Sequence, residues 1–543
     1  LIDAAMGRIP ADLVLKNGVI ADVFTGRFIP CDVLVKDGYI CGLGQYDCDN
    51  SIDVSGKFIL PGLIDAHLHI ESSMVTPPQY ARTVVPHGVT TIIADPHEIT
   101  NVCGEAGLEF MKKSAEGLPL DIKYMLPSCV PAAPFEHSGA VLTAEDTRRM
   151  ADDYFGIGEM MNYPGIISGD SEVLGKLAEG KMLDGHAPGL AGQKLDAYIN
   201  AGIKTDHECS EIFEMLEKIG KGMYIALREG TLSKDFRRLI YGVNSYTFRR
   251  CMLCTDDRSV AEILKDGTID YIVKSAVQLG VEPIMAISMG SVCAAACYGL
   301  NDRGAVAPGY LADLLIIDTP HDFNIEAVFK RGVKVAENGK ALFDVPACDA
   351  SAVTNTVHLP RLTAEFFRHE PPEEFTAISL VPDSIITRKT TARRGDRLSK
   401  VCVIERHHGT GSKGFGYVTN YGIKNGAIAS SVGHDSHNIT VIGDNDADMA
   451  AAVNALGQSG GICVVSGGKV RSLLELEIAG LMTERGAEYV SATHEELMIA
   501  ARALGVTESV DPFLSLAFLP LPVIPEIRVT NSGLFDVETF SFI

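Results

Sequence analysis

Pro61-Gly-Leu-Ile-Asp-Ala-His67-Leu-His69-Ile-Glu-Ser-Ser-Met74 is the stretch on which the reading of this chain turns. An apolar run, Lys57-Phe-Ile-Leu60, leads through a Gly turn into a short strand that ends in two histidines one residue apart. Residues i and i+2 of a strand project to the same side, so both imidazoles can reach one metal ion. A lone His-x-His is common at strand ends. Here the remaining ligands follow in order along the chain.

Outward from that point, apolar strand candidates alternate with helical stretches. The candidates are 59–69, 89–96, 122–130, 154–161, 182–186, 203–207, 223–228 and 251–256. Eight β/α units in roughly 250 residues predict an α/β fold, a (β/α)8 TIM-like barrel over 57–304. Residues with metal or acid–base chemistry end these strands, where such barrels keep their active sites. His67 and His69 end strand 1, Glu159 strand 4, His186 strand 5, His207 strand 6 and Asp256 strand 8. Imidazoles with carboxylates suit Zn2+, Mn2+ or Fe2+. One ion needs only three or four such groups. Six fit two ions bridged by a carboxylate and a hydroxide, which lowers the pKa of bound water and yields a nucleophile at neutral pH.

The flanks read differently. Residues 11–56 are short strands with tight turns, and Asn17-Gly18 and Asp37-Gly38 are hairpin signals. The opening phrase Ala11-Asp-Leu-Val-Leu15 nearly returns as Ala312-Asp313-Leu-Leu-Ile-Ile-Asp318, followed by Phe329-Lys-Arg-Gly332. One small composite β domain, 1–56 plus 305–350, is therefore expected around the barrel. A C-terminal α+β domain is expected over 351–543, with strands at 400–405 and 438–443 and helices at 447–456 and 472–484. Segment 281–300 is interrupted by Glu282, Pro283 and several Gly and Ser, and is predicted as one buried helix with Pro283 in its first turn.

Composition narrows the partners. The 543 residues are 46% apolar and 22% charged, as in ordinary globular proteins. Lys and Arg number 47 against 70 Asp and Glu, a net charge of −23, so no basic field gathers nucleic acid or an anionic membrane. No cationic, apolar leader opens the sequence, and thirteen scattered cysteines do not make a secreted disulfide framework. The cytoplasm is the expected location.

Some patterns are set aside. Gly409-Thr-Gly411-Ser-Lys-Gly414 precedes a strand rather than a helix and reads as a turn. His69-Ile-Glu71 matches half of the cytidine-deaminase zinc motif, but the Pro-Cys-x-x-Cys half is missing. Cys251 and Cys254 read as buried thiols, and Cys293 and Cys297 as core packing. Arg406-His407-His408 reads as an exposed strand end.

Pro61-Gly-x-Ile-Asp-x-His67-x-His69 is similar to the signature of the amidohydrolase superfamily of metal-dependent hydrolases. A narrower likeness rests on Ile70-Glu-Ser-Ser-Met74, Ala94-Asp-Pro-His-Glu98, Gly158-Glu-Met-Met-Asn162, Gly185-His-Ala-Pro-Gly189 and Thr205-Asp-His-Glu208. Leu227-Arg-Glu-Gly230, Thr255-Asp-Asp-Arg258 and His434-Asp-Ser-His-Asn438 extend it. From about residue 11 to its end the chain resembles the bacterial adenine deaminases. The resemblance implies that His67, His69, Glu159, His186, His207 and Asp256 hold two divalent ions, Mn2+ or Fe2+ in that family, with Zn2+ also suited to the donors. Many superfamily members bridge their metals with a carboxylated lysine on strand 4. No lysine lies between Asp152 and Asp170 here, and Glu159 stands in its place, as in adenine deaminases.

The implied reaction is hydrolysis of adenine to hypoxanthine and ammonia in purine salvage, with metal-bound hydroxide attacking C6, in a homo-oligomer expected to be a dimer. Asp256 would take the hydroxide proton and pass it to the leaving amino group. A further acid must protonate N1, and Glu98 and Glu208 both stand beside a strand-end histidine that either could instead orient. Asp95, His97 and Arg228 are expected to line the pocket. His434, Asp435, Ser436 and His437 are expected to reach over the barrel mouth as a lid that reads the purine edge and excludes adenosine. Two other readings share the barrel: hydrolysis of a cyclic amide or another aromatic amine, and a catalytically silent scaffold. Glu159 and the His434–His437 segment favour the deaminase, and the six intact ligands weigh against the scaffold.

Overall fold

The computed structural model describes residues 1–543 apart from Asp47, Lys181 and Asp383. The expected strand over 59–69 is in fact two. Phe58–Pro61 belongs to a seven-stranded sheet, antiparallel to Leu314–Ile317 and parallel to Val19–Asp22. The chain then turns at Gly62 into the first barrel strand, Leu63–Leu68. A Cβ at Gly62 would lie 2.2 Å from Thr90 Oγ1, so this crossing from sheet to barrel requires glycine.

The other barrel strands are Val89–Ala94, Asp121–Leu126, Gly156–Met160, Leu183–Gly185, Thr205–Asp206, Tyr224–Arg228 and Cys251–Cys254. They lie within the segments expected from the sequence, except that the third begins one residue earlier, at Asp121. The first five form one parallel sheet and the last three another. One seam closes where Leu68 bridges Asp256 and the Asp256 N–H donates to His67 O at 3.0 Å. At the other, Gly185 N–H donates to Thr205 Oγ1 at 2.9 Å, and a Cβ at Gly185 would meet Thr205 O at 2.1 Å. The first two strands are buried along their whole length; the β-branched run of Val89–Ala94 suits this, whereas Leu63–Leu68 buries Asp65 by letting it accept from Thr255 N–H and Oγ1.

Beside the barrel, Leu13–Lys16, Asp32–Lys36, Tyr39–Gly44 and Ser51–Asp53 form a four-stranded sheet. The seven-stranded sheet joins strands from both ends of the barrel insertion. Asp37-Gly38, with φ of 50° and 80°, forms the expected hairpin turn. Asn17-Gly18 does not. Its flanking strands, Leu13–Lys16 and Val19–Asp22, lie in different sheets, and Asn17 bonds Asp32 and Asp53 instead of closing a hairpin.

The C-terminal part is an eight-stranded sheet with the helix Asp446–Ala455 against it. The helix expected over 472–484 is not formed. Lys469–Glu475 is a strand, turned at Gly467-Gly468 onto Gly461–Ser466. The helical propensity of Leu473-Leu-Glu-Leu-Glu477 yields to the hairpin turn, and the long helix comes later, at Ala487–Ala503. The single helix expected over 281–300 is also two, Pro283–Met289 and Val292–Cys297. The break at Gly290-Ser291 turns the Gly290 carbonyl to accept Ile64 N–H at 2.8 Å, tying the helix end to the first barrel strand. Among the described residues no helix is long and apolar enough to cross a membrane, and all thirteen cysteines are free.

Candidate active site

Parallel strands all end on one face, and that geometry gathers the site. Glu159, ending the fourth strand, is ringed by five imidazoles. Its Oε1 lies 3.3 Å from His69 Nε2, 3.6 Å from His97 Nδ1 and 4.0 Å from His67 Nε2. Its Oε2 lies 2.7 Å from His186 Nδ1 and 3.3 Å from His207 Nε2. Burial alone would raise this carboxyl; the imidazoles of His186, His207 and His69 outweigh it and hold the group well below the usual range. Asp256 follows the eighth strand with φ 53°, a left-handed conformation that aspartate tolerates. Its Oδ1 stands 3.2 Å from His69 Nε2 and 3.7 Å from His67 Nε2, while Oδ2 accepts from Arg228 Nη1 at 2.9 Å.

All six residues expected as ligands therefore converge. The donor set also fits a metal pair on local grounds. His67 donates through Nδ1 to Asp184 Oδ2 at 2.8 Å, leaving its buried Nε2 without a partner. His69 is oriented in the same way by the Asp95 carbonyl at 2.8 Å. Carboxylate and carbonyl partners on the far nitrogen are how ligating imidazoles are aimed. His67, His69 and Asp256 approach one another as one donor group, His67, Glu159 and His207 as a second, and His186, His207 and Glu208 as a third.

The other expected residues divide. The Asp95 carboxylate sits behind the site, accepting Glu159 N–H at 2.9 Å, and its second oxygen has no partner. His97 is at the centre, with Nδ1 beside Glu159 and Nε2 3.5 Å from Glu98 Oε1. Arg228 is clamped by Glu208, Asp256 and Asp235. Glu208 lies 3.6 Å from His207 Nε2 and 3.9 Å from His186 Nδ1. The C-terminal loop docks on the second barrel strand's end: one Glu98 oxygen pairs with His434 Nδ1 and the other with His437 Nε2. Asp435, pushed up to about 6 by burial, stands 4.0 Å from His97 Nε2. The Ser436 hydroxyl turns away toward Asn438. Behind this wall lies a cavity between Met74, Val260, Val432, Leu481, Phe513 and Phe518, and the His434 ring stacks on Phe518 with centroids 4.5 Å apart.

Of Arg406-His407-His408, expected as an exposed strand end, only His408 is exposed. Arg406 is 0% exposed and His407 8%. Arg406 donates from Nε to His437 O and from Nη2 to Ala479 O at 2.9 Å, and His407 Nε2 bonds Ser436 O at 2.7 Å. This segment is the peg on which the 434–438 loop hangs; the guanidinium goes inside because backbone carbonyls satisfy it.

The sequence reading missed Asp184 and Lys218. Asp184 lies on the short strand Leu183–Gly185, two residues before His186, a spacing that could have marked it. Lys218 is 0% exposed and holds Asp206 Oδ2 at 2.9 Å, Glu214 Oε1 at 2.7 Å and Ala187 O at 2.6 Å. It thereby fixes the neighbours of His186 and His207. Lys218→Met leaves two buried carboxylates unpaired, and a loss of about 3–5 kcal/mol in unfolding free energy is expected from denaturant titration. A loss below about 1 kcal/mol would mean that the network is replaceable.

A closed β/α barrel with imidazoles and carboxylates converging at its strand ends defines a metal-dependent hydrolase, and the amidohydrolase family model matches residues 58–335. The model of the adenine deaminase C-terminal domain matches residues 382–541. An adenine deaminase of Nitratidesulfovibrio vulgaris (strain Hildenborough) is 46% identical over 100% of this chain and 98% of its own length. One of Clostridium acetobutylicum is 46% identical over 100% of this chain and 99% of its own. A solved D-aminoacylase matches 62% of this chain and 98% of its own at 16% identity, with a TM-score of 0.47. The chain belongs to the adenine deaminase family of amidohydrolases, whose fold binds divalent metal ions.

Proposed function

We propose that this protein hydrolyses adenine to hypoxanthine and ammonia, serving purine salvage in the cytoplasm. The observation that carries the reading is Glu159, a carboxylate where many relatives of the barrel use a modified lysine, with both oxygens among the histidines. Mn2+ or Fe2+ are the ions we infer, supported by the mixed imidazole and carboxylate donors of His67, His69, Glu159, His186, His207 and Asp256. When bound, they supply a water of lowered pKa at neutral pH.

The chain's own groups handle the protons. Asp256 Oδ1 faces the histidines while Arg228 occupies Oδ2, so one oxygen is free to accept the proton of the attacking water and return it to the leaving amino nitrogen. Glu98 has both oxygens taken by His434 and His437, which supports a role in holding the loop. Glu208 stands beside His186, His207 and Arg228. Against its burial, the Arg228 guanidinium and the two imidazoles hold its carboxyl below the usual range. This supports it as a shuttle that takes a proton from the attacking water and passes it to N1. Glu208→Gln is then expected to lower kcat about 10²- to 10⁴-fold, whereas Glu98→Gln acts chiefly on KM. The reverse pattern in steady-state kinetics would transfer the N1 role to Glu98.

The test is ammonia release from adenine by protein reconstituted with Mn2+, with adenosine, guanine and dihydropyrimidines alongside. Release from adenine alone supports the reading. Silence on adenine with turnover of a dihydropyrimidine moves the activity to cyclic amides.

A further inference from the structure

The fourth barrel strand is irregular at the residue on which the site is centred. Gly156–Met160 pairs with Leu183–Gly185 at Ile157 opposite Leu183 and again at Met160 opposite Gly185, with the register shifting between them. The fourth strand thus fits an extra residue into the interval that holds Gly158 and Glu159. On its other side, pairing with Asp121–Leu126 ends at Leu126 opposite Ile157. A bulge of this kind bends its strand and re-aims a side chain, and it gives up ladder bonds to do so.

Side chains replace those bonds. Glu159 N–H donates to Asp95 Oδ2 at 2.9 Å, and Glu159 O accepts from Ser128 Oγ at 2.6 Å. The next carbonyl, Met160 O, accepts from the Tyr198 hydroxyl at 2.9 Å. The same phenol oxygen accepts His186 N–H at 2.9 Å. Tyr198 comes from the helix Gly192–Asn200 and is 0% exposed. One hydroxyl therefore spans the fourth and fifth strands, donating to one and accepting from the other. The side chains that flank this bridge, Glu159 and His186, meet at 2.7 Å.

We propose that Tyr198, with Ser128, is a positioning residue of the metal centre: the two hydroxyls take the place of the ladder bonds lost at the bulge and so fix the Glu159 carboxylate against the His186 imidazole. The inference rests on the metal pair of the reading above. Neither hydroxyl reaches the donor atoms themselves. Each holds backbone from which a donor projects, and buried backbone groups at a bulge need such partners. Metal–donor distances tolerate only about 0.2 Å, so a strand end freed of its bonds weakens the hold of its donors on an ion.

The experiment measures Mn2+ binding to the full chain by equilibrium dialysis, with adenine turnover in parallel. Tyr198→Phe removes one oxygen and leaves Met160 O and His186 N–H unpaired. Tyr421→Phe is the comparison: its hydroxyl is as deeply buried and donates to Pro512 O at 2.9 Å in the C-terminal part. Both variants are expected to lower the melting temperature. Only Tyr198→Phe is expected to weaken Mn2+ binding, by about 10- to 100-fold for one of the two ions. Excess Mn2+ then restores kcat to within about threefold of wild type, and the KM for adenine stays within about twofold. A Mn2+ affinity within about twofold of wild type, or equal weakening in both variants, would overturn the proposal. If Tyr198→Phe does not fold, Ser128→Ala is measured instead. It leaves Glu159 O only the Cys129 thiol at 3.7 Å, a weak donor. The same weakening is expected, and an unchanged affinity overturns the proposal. Wild-type protein that binds Mn2+ but releases no ammonia from adenine defeats the adenine reading and leaves the positioning role standing. Wild-type protein that binds no Mn2+ removes the centre and the proposal with it.

Discussion

Asp256→Asn is expected to lower kcat for adenine by about 10²- to 10⁴-fold, equivalent to about 3–5.5 kcal/mol of barrier. Asparagine has nearly the same shape and tolerates left-handed backbone, so the φ of 53° at this position is kept. Arg228 Nη1 can still bond the amide oxygen in place of Oδ2. The oxygen facing His69 and His67 is then replaced by an amide nitrogen, which accepts no proton. The remaining five expected ligands are untouched, so metal content should fall less than turnover. Parallel kcat and metal analysis of the purified variant checks this. Complete metal loss with the turnover would make Asp256 a ligand first and a proton carrier only incidentally.

His67→Ala is expected to act in the opposite order, with metal lost and turnover lost as a consequence. His67 Nε2 faces both Glu159 and Asp256, and Nδ1 is fixed by Asp184, so no neighbouring side chain can take its place. Binding to the folded state stabilises it, so adding Mn2+ should raise the melting temperature of the wild type and not of the variant. Asp184→Asn is expected to fall between them, with metal affinity about 10- to 100-fold weaker, because it disturbs only the imidazole's orientation. A His67→Ala variant that retained metal and turnover would remove His67 from the centre.

The positions of the strand-end residues were legible because parallel β/α units put every strand's C-terminal end on one face. Spacing along the chain then becomes proximity in space, as for His67, His69, Glu159, His186, His207 and Asp256. What escaped the sequence depends on distant pairing. Asp184 and His67 are separated by 117 positions, and nothing local to either marks the bond. Arg406 was misread because a basic residue at a strand end is ordinarily solvated. Its burial follows from carbonyls at positions 437 and 479 that only the folded loop presents. The strand at Lys469–Glu475 was hidden in the same way: its composition is helical, and the Gly467-Gly468 turn before it decides the outcome.

The contact between Glu98 and His434 spans 336 positions, so the two halves of the site wall leave the ribosome at different times. At about 5–20 residues per second, Glu98 waits roughly 20–70 s for its partners to be made. The groups that gather around Glu159, His67 through Asp256, have all been synthesised well before residue 434. For that interval a nascent chain carries the six residues we propose as ligands without the loop that packs on Glu98 through His434 and His437, so the wall of the candidate site is completed last.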